Sequence, residues 1–168
     1  MKGILLLAIL VTVAGCGRKL PPDCRDVLEN DDYGRFELIG QGIARDTELG
    51  IEWFRCSVGQ RFVKGKCVGE ALYVHWEVGV STVEEMNEKA GGRWRLPTLE
   101  ELVSLRVKGC GNPSINSNVF PNILVENYWA SDKSIHPGFR CGMYTYSGAT
   151  SCRLFDSLER PILIVRDV

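Results

Sequence analysis

Seven cysteines and two histidines are the side chains of this 168-residue sequence best suited to covalent or metal chemistry. A zinc site takes thiolates and imidazoles at short, regular spacings. No C-x-x-C pair occurs and neither His75 nor His136 stands at ligand spacing, so no metal is expected. Two histidines also offer no readable Ser-His-Asp or Cys-His arrangement for nucleophilic catalysis. The neighbouring carboxylates Glu84-Glu85 and Glu100-Glu101 invite an acid–base reading. Each pair falls in the first turn of a helix expected below, where the macrodipole favours negative charge, and that placement accounts for them. The residues therefore point away from an enzyme, and no cofactor is expected.

What chemistry remains for the cysteines depends on where each one lies. The chain opens Met1-Lys2-Gly3 and then runs apolar over residues 4–14. A membrane-spanning helix needs about 20 residues; this run is shorter and has the size of a signal-peptide core. It ends Val13-Ala14-Gly15-Cys16, which resembles a bacterial lipoprotein signal: small residues before a cysteine that is acylated and becomes the new N-terminus. Residues 1–15 are thus expected to be a lipoprotein signal peptide and Cys16 the lipidated residue. Acyl chains such as palmitate contribute about 0.8 kcal/mol per buried CH₂, enough for stable anchoring when more than one is attached. Gly17 follows, not aspartate, which by resemblance to lipoproteins of diderm bacteria favours the outer membrane.

Export to an oxidising compartment makes the remaining even set of cysteines a disulfide framework. Cys56 and Cys67 flank a hairpin-like excursion with Gly59 and Gly65 for turns. Cys141 and Cys152 flank a strand, a Ser147-Gly148 turn and a second strand. Cys24 and Cys110 are left to pair, which would staple the N-terminal segment to the body. Closing each loop could contribute about 3 kcal/mol.

Bulk composition narrows the partners. Lysine and arginine number 20 against 21 aspartates and glutamates, for a net charge of −1. A duplex DNA binder needs excess cations to displace condensed counterions, so nucleic acid is not an expected partner. Apolar residues at 45% and charged ones at 24% are ordinary globular usage, and the length suits one domain.

The elements that must position these residues read as follows. Residues 16–33 are polar, with Pro21-Pro22 and an acidic run at 29–32, and read as an acylated N-terminus and tether ahead of a body at 34–168. Strand patterns occur at 35–39, 42–44 and 49–54, and residues 71–78 are β-branched and aromatic. Ser81-Thr82-Val83-Glu84 fits a capping box, with Val83, Met86 and Ala90 on one helical face and Gly91 closing the helix. Pro97 blocks helix upstream of a second box, Thr98-Leu99-Glu100-Glu101. Leu99, Leu102, Val103 and Leu105 then form the expected buried stripe, and Gly109 the end. Residues 111–131 carry little helix signal. The last third is β: 139–146, 152–155, and Ile162-Leu163-Ile164-Val165, whose lack of alternation predicts a central strand covered on both faces.

One string is distinctive: Trp94-Arg95-Leu96-Pro97-Thr98-Leu99-Glu100-Glu101-Leu102. It resembles the signature of the Lcl C-terminal domain family. Other pieces follow in the family's order. Arg35-Phe36 opens the domain, and Asp46-Thr47-Glu48-Leu49-Gly50-Ile51-Glu52-Trp53 resembles its aspartate, turn and tryptophan segment. Arg55-Cys56-Ser57-Val58-Gly59-Gln60 with Cys67 resembles its cysteine hairpin. Asn112-Pro113-Ser114-Ile115-Asn116, Phe120-Pro121-Asn122, Tyr128-Trp129-Ala130-Ser131 and the terminal Val165-Arg166 complete the set.

The resemblance implies an α+β, C-type-lectin-like domain: two helices packed on small antiparallel sheets, a long loop region, and chain ends close together. In it, Trp94 would fill the core, Pro97 and Thr98 would set a helix start, and Arg95 would satisfy carbonyls or a carboxylate. Trp53 and Trp129 would be core aromatics. A calcium-bridged sugar site is not expected, because Phe120-Pro121-Asn122 and Trp129-Ala130-Ser131 lack the oxygen ligands that a hard cation needs. The expected function is a non-catalytic envelope module, anchored to the membrane by its N-terminal lipid, that binds a glycan or an envelope or host protein. Lys133, His136, Arg140, Tyr144 and Tyr146 are the expected contact residues. A structural or accessory subunit of a pilus or secretion machine is the alternative.

Overall fold

A computed structural model describes residues 20–40, 42–154 and 157–168. The signal segment 1–15 and the lipidation cysteine Cys16 lie outside the described residues, as does Phe155 at the end of one expected strand.

Among the described residues, three antiparallel sheets and three helices make an α+β fold. β1 (Phe36–Leu38), β2 (Ile43–Asp46) and β3 (Ile51–Phe54) form a meander, and the last strand, β9 (Val165–Asp167), pairs with β3 to complete a four-stranded sheet. First and last strands of the domain thus share one sheet. β4 (Arg61–Val63) and β5 (Lys66–Val68) are a separate hairpin; β6 (Asn127–Lys133), β7 (Phe139–Tyr144) and β8 (Ala149–Leu154) form a third sheet.

Buried charge fixes the first sheet. Asp46 is fully buried and receives Arg35 Nε at 2.8 Å on one carboxylate oxygen and 2.9 Å on the other. The same carboxylate accepts the N–H groups of Glu48 and Leu49, shaping the turn that Gly50 closes at φ 66°. Glu52 stands directly opposite Arg45 on one neighbouring strand and Arg166 on the other, and is bonded to both. Cross-strand pairs of opposite charge favour a single register.

Two apolar clusters flank the C-terminal run. Leu163 and Val165 enter one, with Trp53, Phe120, Tyr128 and Leu102; Ile162 and Ile164 enter the other, with Trp76, Val83 and Trp129. The run is covered on both faces, as its composition predicts. It is not one central strand: the carbonyls of Ile162 and Ile164 accept from Val58 and Phe54, and only from Val165 does the chain join a sheet, as the strand next to β3. Trp53 and Trp129 are core aromatics, both fully buried; Trp53 meets Phe120 edge-on at 5.8 Å.

The structure corrects three helix and strand boundaries. Residues 71–78 are no strand; Val74 makes one isolated bridge to Arg160, and α2 (Trp76–Ala90) begins at Trp76. Ser81 therefore lies inside the helix, its hydroxyl bonded back to the Val78 carbonyl, and caps nothing. Trp76, Gly79 and Val83 form the buried stripe, which starts about two turns before the expected face; Val83 is on both, Met86 packs partly against the same cluster and Ala90 is exposed. Packing overrides local propensity here: the Trp76 indole N–H reaches the Ala130 carbonyl at 2.7 Å, and Ile162 and Val74 lie over Gly79. α3 (Leu99–Ser104) does start at Thr98, with both halves of the capping box made. It stops at Leu105 rather than Gly109, because Arg106 and Val107 turn to bond with residues 114–115. Val103 is on its outer side, 38% exposed.

The lead-in is docked where it is described. α1 (Cys24–Val27) is one short turn, Cys24 is fully buried, and Asn116 and Asn118 donate to the carbonyls of Asp32 and Glu29. All six body cysteines are bridged, as Cys24–Cys110, Cys56–Cys67 and Cys141–Cys152. From Pro21 onward, then, the segment read as tether is part of the body: Gly111 donates to Pro22, and Cys24 donates to Gly111. Among the described residues no helix is long and apolar enough to cross a membrane.

Candidate ligand-binding cleft

The signature segment 94–98 runs between three elements, and each holds it. The Asn87 side chain of α2 clamps Trp94, donating to its carbonyl at 2.7 Å and accepting its N–H at 2.8 Å. Arg95 exchanges both backbone hydrogen bonds with Val165, at 2.8 and 2.9 Å. Ser131 of β6 donates to the Pro97 carbonyl at 2.8 Å. Polar side-chain and backbone bonds thus set the segment's depth while leaving one side of it uncovered.

That side faces α2 across an open cleft of about 500 Å³. Trp76, Val80, Val83 and Glu84 line it from the helix. Trp94, Arg95, Leu96 and Thr98 line it from the signature segment, and Ser131 from β6. Such a largely apolar concavity with a few polar groups at its edge is the usual form of a small binding site. Trp94 is half-buried: it packs against the second apolar cluster from its edge and lines this cleft with its remaining surface. Its ring stands 4.7 Å from the Arg166 guanidinium, and the Trp76 ring stands 4.5 Å from that of Arg140.

Electrostatically the wall cations are spent. Arg95 bonds Glu101 through both carboxylate oxygens, at 2.9 and 2.8 Å, and Asp167 at 2.8 Å. These carboxylates keep its guanidinium charged against the burial that opposes it. Burial tends to raise the Glu101 carboxyl, but Arg95 and the Thr98 N–H outweigh it and hold the group below the usual carboxylate range. Arg166 is committed to Glu52 and Arg140 to Glu77.

The five expected contact residues are not brought together. Lys133 and Arg140 stand beside Trp76, behind the cleft and not on its lining. His136 is exposed at the β6–β7 turn next to Phe139. Tyr144, the last residue of β7, and Tyr146 just beyond it stack on each other, rings 5.7 Å apart. Arg140 and Tyr144 are four residues apart on one strand, roughly 13 Å. The sequence reading missed Trp76, Val80, Glu84 and Leu96 as site residues. Val80 and Val83 at helical spacing after Trp76 carried the signal, which the strand-like composition of 71–78 obscured.

Among the described residues no group of three His, Cys, Asp or Glu is placed to hold a metal ion. The model of the Lcl C-terminal domain family matches residues 42–166, which takes in the signature segment, the cysteine hairpin and the terminal Val165-Arg166. No curated protein and no solved structure matches the chain.

Proposed function

Because the chain belongs to the Lcl C-terminal domain family, we propose that it is an envelope lipoprotein, anchored at Cys16 in the outer membrane, whose C-type-lectin-like domain binds a glycan or protein without transforming it. The cleft between α2 and segment 94–98 carries this reading: the family signature builds one wall of the domain's open apolar concavity. Three disulfides suit an oxidising compartment, and they leave no free thiol in the body to serve as a nucleophile. The lipobox-like Val13-Ala14-Gly15-Cys16 supports the anchor.

The test pairs mass spectrometry with binding. Protein taken from cells should begin at an acylated Cys16, and Cys16→Ser should release it from membranes. The purified protein should give a reproducible signal on a glycan array or a crosslink to one envelope protein, and Val80→Arg, which fills the cleft, should remove it. An unmodified Cys16, or silence in both binding assays, would end this reading.

The accessory-subunit alternative draws on a different feature. β8 is an edge strand exposed along almost its whole length, and open edges pair with other chains. Crosslinks from residues 149–154 to a pilus or secretion component, insensitive to Val80→Arg, would favour it.

A further inference from the structure

Charge at the cleft is one-sided. Its cation, Arg95, is already bonded to two carboxylates. Its carboxylate, Glu84, lies on the exposed side of α2 and has no ion pair among the described residues. Between them stand two indoles and the aliphatic side chains of Val80, Val83 and Leu96. None of Arg166, Arg140 and Lys133, the cations packed on those indoles, lines the cleft. Glu88, one turn on and also exposed, is not on the lining.

An apolar floor with aromatic rings and an unmatched anion at the mouth selects a ligand with an aliphatic stem and a cationic head. The stem is desolvated against Val83 and Leu96, the indole faces attract the cation through their quadrupoles, and Glu84 supplies the counter-charge. An acidic sugar would instead meet Glu84 with like charge and find Arg95 occupied. Resting on the binding reading above, we infer that the cleft receives a primary amine on a flexible alkyl stem, as a lysyl side chain of a protein partner presents it.

The test uses Nα-acetyl-lysine methylamide and its neutral isostere Nα-acetyl-norleucine methylamide as probes. Binding to the nitrogen-15-labelled, disulfide-bonded protein is read from the indole and backbone N–H signals of Trp94, Leu96 and Val83. The lysine probe should bind about fivefold more tightly than norleucine, the most that a partly exposed charge pair supplies. The ratio should fall to about one in Glu84→Gln and stay unchanged in Glu88→Gln, a rim substitution off the lining. Both residues are exposed, so both variants should keep the parent unfolding temperature. Equal or weaker binding of the lysine probe would overturn the amine inference and leave the binding reading intact. If neither probe moves these signals, the inference fails, and the binding reading then stands or falls on the array and crosslinking result.

Discussion

Arg95 and Glu101 meet fork to fork, two guanidinium nitrogens on two carboxylate oxygens, and the same Glu101 carboxylate accepts the Thr98 N–H at 2.6 Å. The string Trp-Arg-Leu-Pro-Thr-x-x-Glu is therefore one hydrogen-bonded unit. The helix cap of α3 and the ion pair share an acid, and Asp132 of β6 accepts the next orphan N–H, that of Leu99. The unit sets one wall of the cleft and one end of the sheet at the same time.

Removing the arginine should cost stability. Arg95→Ala leaves Glu101 without its cation, but the Arg95 side chain is 38% exposed and solvent screens the pair. The expected loss is about 1–2 kcal/mol, below the cost of breaking a fully buried pair. Arg95→Lys should recover only part of it, since an ammonium cannot bridge both oxygens. Urea unfolding of the two variants checks this.

Acid should destabilise the fold in a defined window. Arg45, then Arg166, hold the Glu52 carboxyl below its ordinary range against the opposing effect of burial, and Glu101 is lowered as described. A carboxyl with a depressed folded pKa stabilises above its unfolded value, about 4.3, and that contribution is lost as pH falls through the folded value. The unfolding temperature should be flat from neutral pH to about 5 and fall below about 4. Glu52→Gln should lower it at neutral pH and flatten the acid slope. A slope identical to the parent's would refute the assignment.

Gly142 is required by closeness, not by backbone angle. A Cβ there would lie 2.4 Å from the Tyr128 carbonyl oxygen, within the paired strands β6 and β7. Neither backbone can retreat without breaking the ladder. Gly142→Ala should cost about 1–3 kcal/mol, the usual range for overpacking, whereas alanine at Gly79, whose nearest neighbours are 3.5 Å away, should cost less. Thermal unfolding of the pair decides it.

The Cys24–Cys110 bridge spans 86 residues of sequence. In the chain-entropy account a loop of that size is worth about 4.6 kcal/mol. The double variant Cys24→Ser, Cys110→Ser should lose stability on that scale and become sensitive to protease within residues 21–33. Resistance equal to the parent's would mean that the hydrogen bonds of Asn116, Asn118 and Gly111 hold the lead-in without the bridge.

The sequence by itself determined the locally encoded parts. The Thr98 cap, the left-handed Gly91 that ends α2 and the two short cysteine hairpins each depend on residues a few positions apart. The resemblance that places the chain in its family likewise reads from contiguous strings. Tertiary structure alone decided where α2 starts, because burying Trp76 and bonding its N–H to Ala130 outweighs the capping residues at Ser81–Glu84. It also decided that Trp94 lines a cleft at the edge of the core, and that Lys133 and Arg140 pack on the Trp76 ring. Those facts depend on contacts between segments tens of residues distant, which no local period or spacing encodes.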